Sequence, residues 1–217
     1  MTMLSNLIHK ELRLNLPAGL WLCLAFPSLV LVPTWPFVIA FGYVFVPVMV
    51  IMQMDKANAD LLFATLLPVR KRDIVTARTI TLALIEAGFV AVGAVFAVVR
   101  YFLYDSPSQA GMNVNLAFFG VVLTMYAVLN AILLPGYYKS AYRMLWPILG
   151  GSTVSVLVGA VLTILPPLAP ALGVVNDRGL GHVGWQLAVL AGGLAVYAAA
   201  TALAHRQAVS NFERVDL

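Results

Sequence analysis

The chain has 217 residues, of which 62% are hydrophobic and only 10% charged, with a formal net charge of +4. Soluble domains carry about 25% charged residues, so a soluble globular fold is excluded: a core of this size could not hide so much apolar surface. No hydrophilic stretch is long enough for a separate nucleotide-binding or catalytic domain, and the lone cysteine, Cys23, can build neither an intrachain disulfide nor a cysteine metal cluster.

The pattern predicts an all-α polytopic integral membrane protein: six transmembrane helices preceded by an amphipathic interfacial helix, all in one transmembrane domain over residues 1–217. In residues 1–13, Leu4, Leu7, Ile8 and Leu12 recur at helical spacing, with Asn6, His9, Lys10 and Arg13 elsewhere on the wheel. A frayed cytoplasmic start is the alternative. Lys10, Glu11 and Arg13 precede the apolar run and no small-residue cleavage site follows, so a cleavable signal is not expected. Residues 14–54 then hold 41 positions without a charge, about two spans' worth. Pro33, Thr34, Trp35 and Pro36 suit a turn between spans at 16–32 and 37–53. The remaining spans are expected at 79–99, 116–134, 145–165 and 183–203, with a cytoplasmic tail over 205–217. Pro166, Pro167 and Pro170 are expected to stop the fifth span. The sixth repeats small residues every fourth position (Gly184, Ala188, Gly192; Ala191, Ala195, Ala199), which suits close packing in the bundle or against a second copy.

Lysine and arginine set the orientation. With the N-terminus inside, eleven basic residues are internal: Lys10, Arg13, Lys56, Arg70, Lys71, Arg72, Arg78, Lys139, Arg143, Arg206 and Arg214. Only Arg100 and Arg178 are external. This bias predicts an even span number and both termini in the cytoplasm of a plasma (inner) membrane protein. It also explains the pI of 9.4 without nucleic acid, for which no partner role is expected.

The longest internal interruption, 55–78, reads as a short helix, a proline stop, a basic turn and a new helix. Leu61, Leu62, Thr65 and Leu66 share one helical face, Pro68 ends it, and Asp73 is a plausible N-cap for the next helix. Leu61-Leu62-Phe63-Ala64-Thr65-Leu66-Leu67-Pro68-Val69, followed by Arg70-Lys71-Arg72-Asp73-Ile74-Val75 and then Ala77-Arg78, resembles the permeases of the ABC-2 transporter family, with Arg70 where those permeases usually have serine. The ending Phe212-Glu213-Arg214-Val215-Asp216-Leu217 is similar to the aromatic-x-x-x-Asp-Leu ending common there.

The resemblance implies the membrane subunit of an ATP-driven exporter. ATP and Mg would be bound by a separate ATPase subunit, and this chain would bind no cofactor. Asp60, Leu61, Leu62, Thr65, Leu66, Pro68, Arg70 and Lys71 would form the coupling element seated on that ATPase, and a second permease copy or paralogue would complete the bundle. An apolar short helix with flanking charges is a reasonable docking element. Arg70, Lys71 and Arg72 serve equally well as anchors to anionic lipid headgroups. The family's cargoes include peptides, drugs and lipids; the scarcity of buried charge here favours an amphipathic or lipophilic one. In related exporters the stretch 171–182 can form short helices gating the outer mouth; a plain loop is the alternative.

Glu86 is the only carboxylate well inside an expected span, about two turns beyond Arg78. An ionisable group at that depth is a cavity or substrate candidate, or it pairs with a bundle neighbour. Tyr137, Tyr138, Tyr142 and Trp146 fit an aromatic belt, and Arg100 and Asp105 fit anchoring at the outer end of span three. His9, His182 and His205 are far apart in sequence with no metal spacing, and no P-loop, nucleophile elbow or dinucleotide fingerprint is present. An intramembrane lipid enzyme would need convergent polar residues at one depth, and Glu86 alone is visible. A secondary transporter or channel would need polar or broken helices, for which Pro27 and Pro47 are the evidence.

Overall fold

The computed structural model describes residues 3–15, 18–66, 68–105, 107–109, 111–139, 144–179 and 181–215; the side chains of Met3, Leu4, Leu14, Asn15, Ala18, Leu61 and Thr65 are not described. Expectations for Leu16, Tyr142, Arg143, Asp216 and Leu217 therefore lie outside the described residues.

The described elements are helical. Helix α1 spans Met3–Lys10 and runs into a π-turn, Glu11–Asn15. A 3-10 helix follows over Ala18–Leu31. After a turn that contains Pro33 and Trp35 come α2 (Phe37–Gly42) and α3 (Phe45–Ala57), which together form one apolar rod. The short α4 is Asp60–Leu66. The long helices are α5 (Lys71–Leu103), α6 (Leu116–Lys139), α7 (Leu145–Leu168) and α8 (Val183–Glu213). Among the described residues five helices, counting α2–α3 as one, are long and apolar enough to cross a membrane.

Helix α6 is the central post. It packs along α8 and α7, and most of its circumference is buried. Phe37, Phe41, Phe89, Phe118 and Tyr126 fill one half of the core, and Met52, Val75, Tyr137, Tyr138 and Phe212 fill the other. The closest helix contact depends on glycine. A Cβ at Gly120 would stand 2.4 Å from the Val189 carbonyl oxygen, and one at Gly193 would stand 2.2 Å from that of Gly120. Only hydrogen fits between these backbones.

Several expectations need correction. The first predicted span is a 14-residue 3-10 helix, which accommodates Pro27, and it is shorter than the five long helices. The second is interrupted at Tyr43 and Val44. Pro47 has no N–H and its ring crowds the carbonyl four residues back, which is that of Tyr43. The backbone there tightens, with the Val44 and Val46 N–H groups donating to Phe41 and Tyr43 carbonyls. The same rod extends to Ala57, so Asp55 and Lys56 are helical and do not start a loop. Helix α5 begins at Lys71 with extended Arg70 as its N-cap, so Asp73 lies in the first turn, where a carboxylate complements the helix dipole. Pro166 and Pro167 are tolerated within α7, which ends at Leu168. Helix α8 runs to Glu213, so most of the expected tail is helix. The small-residue stripes of α8 face outward: Gly184, Ala188, Gly192, Ala191, Ala195 and Ala199 are exposed, and the close approach uses Gly193 instead. Tyr137 and Tyr138 are buried in the bundle and form no belt, whereas Trp146 is exposed. Over 171–182 the only described helical element is the tail of a three-residue 3-10 turn, Pro170–Leu172.

Candidate functional site

Two polar clusters are built into the apolar bundle. The first joins α4 to the rest of the protein. Arg78, on α5 two turns from its start, is completely enclosed. Its Nη2 lies 2.9 Å from Asp55 Oδ1, 3.1 Å from Glu11 Oε2 and 4.0 Å from Asp60 Oδ2. Tyr137 donates its hydroxyl to the far oxygen of Asp55, and Lys10 donates to Asp60. Burial opposes ionisation of Asp60, but the Lys10 ammonium and its hydrogen bond hold the carboxyl below its usual range. Two cations and three carboxylates from α1, the π-turn, α3, α4 and α5 thus meet in one buried network. The bundle can keep these charges only because each lies against an opposite charge.

The apolar residues beside this network point outward. In α4, Leu62, Phe63 and Leu66 are exposed, the last by 78%, while Ala64 is buried against the bundle. The Leu61 and Thr65 side chains lie outside the described residues. Pro68 and Arg70 are exposed in the bend that follows. Lys71 turns back: its Nζ donates to the Val215 carbonyl at 2.8 Å and lies 5.5 Å from the centre of the Phe212 ring. Phe212 in turn packs on Tyr138 with ring centres 5.1 Å apart. The two sequence stretches that carry the family resemblance, 144 residues apart at this hydrogen bond, are therefore in contact.

The second cluster surrounds Glu86, midway along α5 and 2% exposed. Tyr197 of α8 donates its hydroxyl to Glu86 Oε2 at 2.6 Å, and Asn130 of α6 donates to the same oxygen at 3.1 Å. The Asn130 amide also reaches Thr201 Oγ1 at 3.3 Å. Glu86 Oε1 and Asn130 Oδ1 have no hydrogen-bond partner among the described residues. Tyr197 and Thr201 also line an open cleft of about 450 Å³ between α5 and α8, with Thr79, Ala83 and His205 among its other walls. Polar groups do converge at one depth, contrary to the expectation that Glu86 stands alone.

Glu86 was visible in the sequence as a lone charge. Glu11, Asp55, Asn130 and Tyr197 were missed. Asp55 marks the end of the uncharged run and reads as the first residue of the loop. Asn130, Tyr197 and Thr201 are neutral and carry no charge that would mark them within an apolar span. Among the described residues no group of three or more histidine, cysteine or acidic side chains is placed to hold a metal ion.

The sequence model described as "ABC-2 family transporter protein" matches residues 6–199. No curated protein and no solved structure matches the chain. Membrane permeases of this family generally pair with a separate nucleotide-binding ATPase subunit and typically have no catalytic activity of their own. The match takes in most of the helical bundle and, Thr201 apart, both buried clusters, and on that basis the chain belongs to the ABC-2 transporter family and is a multi-pass membrane permease.

Proposed function

We propose that this chain is the membrane subunit of an ATP-driven exporter, and that its coupling segment, 55–78, seats α4 on a separate ATPase. The observation that carries the reading is the pairing of an outward apolar face (Leu62, Phe63, Leu66) with an inward charged root (Asp60 on Lys10 and near Arg78) in one seven-residue helix. Exposed leucine and phenylalanine suit a groove in a partner. The buried ions tie any displacement of α4 to α1, α3 and α5. Arg70 stays exposed for contact with the partner or with lipid, whereas Lys71 is turned onto the C-terminal segment.

The orientation places α4 and both termini in the cytoplasm of the plasma (inner) membrane, in keeping with the eleven-to-two basic bias. Six crossings fit that orientation. The 3-10 helix Ala18–Leu31 has 14 residues, and a rise of about 2.0 Å per residue takes it about 28 Å, close to the roughly 30 Å hydrocarbon core. The outward small residues of α8 offer a face for a second permease copy or paralogue. Glu86, Asn130, Tyr197 and Thr201 stand behind the α5–α8 cleft as the polar part of a path for amphipathic or lipophilic cargo. The apolar part of the cleft lining, Ile80, Ala83, Leu194, Ala198 and Ala202, suits such cargo better than a small ion.

Co-purification with a P-loop ATPase, sought first among the products of the genes beside this one, tests the reading. Replacing Leu62 and Leu66 together by aspartate changes only exposed positions, so the variant is expected to fold and reach the membrane but to lose the ATPase. A folded double variant that retains the ATPase and its stimulation refutes docking through α4.

A further inference from the structure

The two basic residues that fall outside the internal set, Arg100 and Arg178, are 78 positions apart, yet they line the same narrow cavity with Tyr101, Asn113 and Val114. The site lies at the end of the bundle opposite α4. Arg100 is only 7% exposed. Its Nη1 donates to the Val30 carbonyl at 2.8 Å, and its guanidinium sits 4.6 Å from the Phe37 ring centre and 5.2 Å from that of Tyr104. Its buried Nη2 has no acceptor among the described residues. Arg178 lines the same cavity, so two positive charges face one space. A buried guanidinium beside a second one, with no carboxylate salt-bridged to either among the described residues, lacks its counter-charge.

The nearby carboxylates are used elsewhere or stay apart. Asp177 accepts from the Gly179 N–H and lies on His182, contacts that hold it below its ordinary range. Asp105 is exposed and borders the outer basin beside Arg178 without forming a salt bridge to it. Arg178 itself is fixed. Its Nη2 donates to the Tyr101 carbonyl at 2.9 Å, and the carbonyls of its neighbours Asp177 and Gly179 accept from the Gln186 amide. Asn115 holds Asp177 from the other side. Arg178 also borders a second, mostly apolar cavity of about 370 Å³, walled by Ala94, Val98, Val114, Leu116 and Phe119. Val98 and Tyr101 are exposed, so this cavity opens sideways from the bundle.

We infer that Arg100 and Arg178 form a binding site for an anionic phospholipid. The phosphate occupies the guanidinium pair, and one acyl chain lies along the Val98–Leu116–Phe119 wall. Guanidinium groups match phosphate in charge and in paired donor geometry, and a basic pocket between membrane helices is the setting in which anionic headgroups bind. The apolar wall beside the charges distinguishes a lipid from a free anion.

Native mass spectrometry of the full-length protein, after incubation with vesicles of phosphatidylcholine containing phosphatidylglycerol, tests this. Wild type is expected to retain one phosphatidylglycerol in preference to phosphatidylcholine. Arg178→Gln, at a partly exposed position that need not disturb folding, is expected to weaken retention about tenfold. Ala97 lines both cavities, so Ala97→Phe fills the space between charge and chain and is expected to weaken retention while leaving the arginines in place. Arg206→Gln, at an exposed position toward the opposite end, is expected to change nothing. Equal retention of the two lipids by wild type overturns the inference, as does undiminished retention by Arg178→Gln. Displacement of the lipid by excess inorganic phosphate assigns the site to a free anion and also overturns it.

Discussion

Arg78 shows most clearly how an internal charge is kept in this bundle. Removing one partner from a buried ion pair costs about 3–5 kcal/mol, because the remaining charges lose their compensation. Arg78→Leu strands Asp55 and Glu11 together, so a loss of that order is expected in thermal unfolding of the detergent-solubilised protein. A change below about 1 kcal/mol would show that the network is not a structural tie. At Glu86 the contrast is between isosteric and apolar replacement. Glu86→Gln keeps an oxygen for the Tyr197 hydroxyl and the Asn130 amide, whereas Glu86→Leu removes the acceptor of the Tyr197 hydroxyl and leaves the Asn130 amide with Thr201 alone, at about 1–3 kcal/mol. Both variants are expected to reduce transport of an amphipathic cargo, but only the leucine variant should also lose thermal stability. The sequence revealed Glu86 because a charge in an apolar helix is conspicuous. It did not reveal Asp55 and Glu11 as partners of Arg78, since ion pairs bridging 23 and 67 positions leave no local pattern.

The elements were legible to different degrees. Four spans were recognisable from apolar length alone, and α6 begins at the expected residue, Leu116. Breaks and ends were harder to place. Pro47 stands out in the sequence, but its consequence falls four residues upstream at Tyr43, and the stop expected from Pro166, Pro167 and Pro170 comes at Leu168, with the first two prolines inside α7. The spacing of small residues in α8 was correctly seen, but rotation about the helix axis decides which ones meet a neighbour, and composition does not report rotation. A discriminating pair of substitutions follows. Gly193→Ala places a methyl against the Gly120 carbonyl and is expected to destabilise the protein by roughly 1–3 kcal/mol, read as a lowered unfolding temperature. Gly192→Ala meets nothing within 4 Å and is expected to leave that temperature unchanged. The number of crossings is testable through single cysteines placed in a Cys23→Ser background. Ser5→Cys and Thr34→Cys are expected to react with an impermeant maleimide from opposite faces if Ala18–Leu31 crosses. Labelling from one face at both positions would place that helix on the surface.

For the whole molecule, membrane residence and family were readable because both depend on long, redundant signals: apolar length and a motif with its flanking charges. The assembly of those signals was not. Lys71 and Phe212 belong to separate stretches of the resemblance, and their contact depends on α8 running ten residues beyond the expected span to Glu213. At this scale the bundle has two functional ends. One presents α4 on its buried ionic root, and the other carries the Arg100–Arg178 pair. Site-specific photo-crosslinking in the intact complex compares these ends directly. A photoreactive residue replacing exposed Leu66 is expected to capture the neighbouring ATPase, whereas one replacing equally exposed Leu168, at the far end of α7, is expected to capture none. No capture from position 66, or equal capture from 168, would contradict the account that α4 is where an ATPase drives this permease.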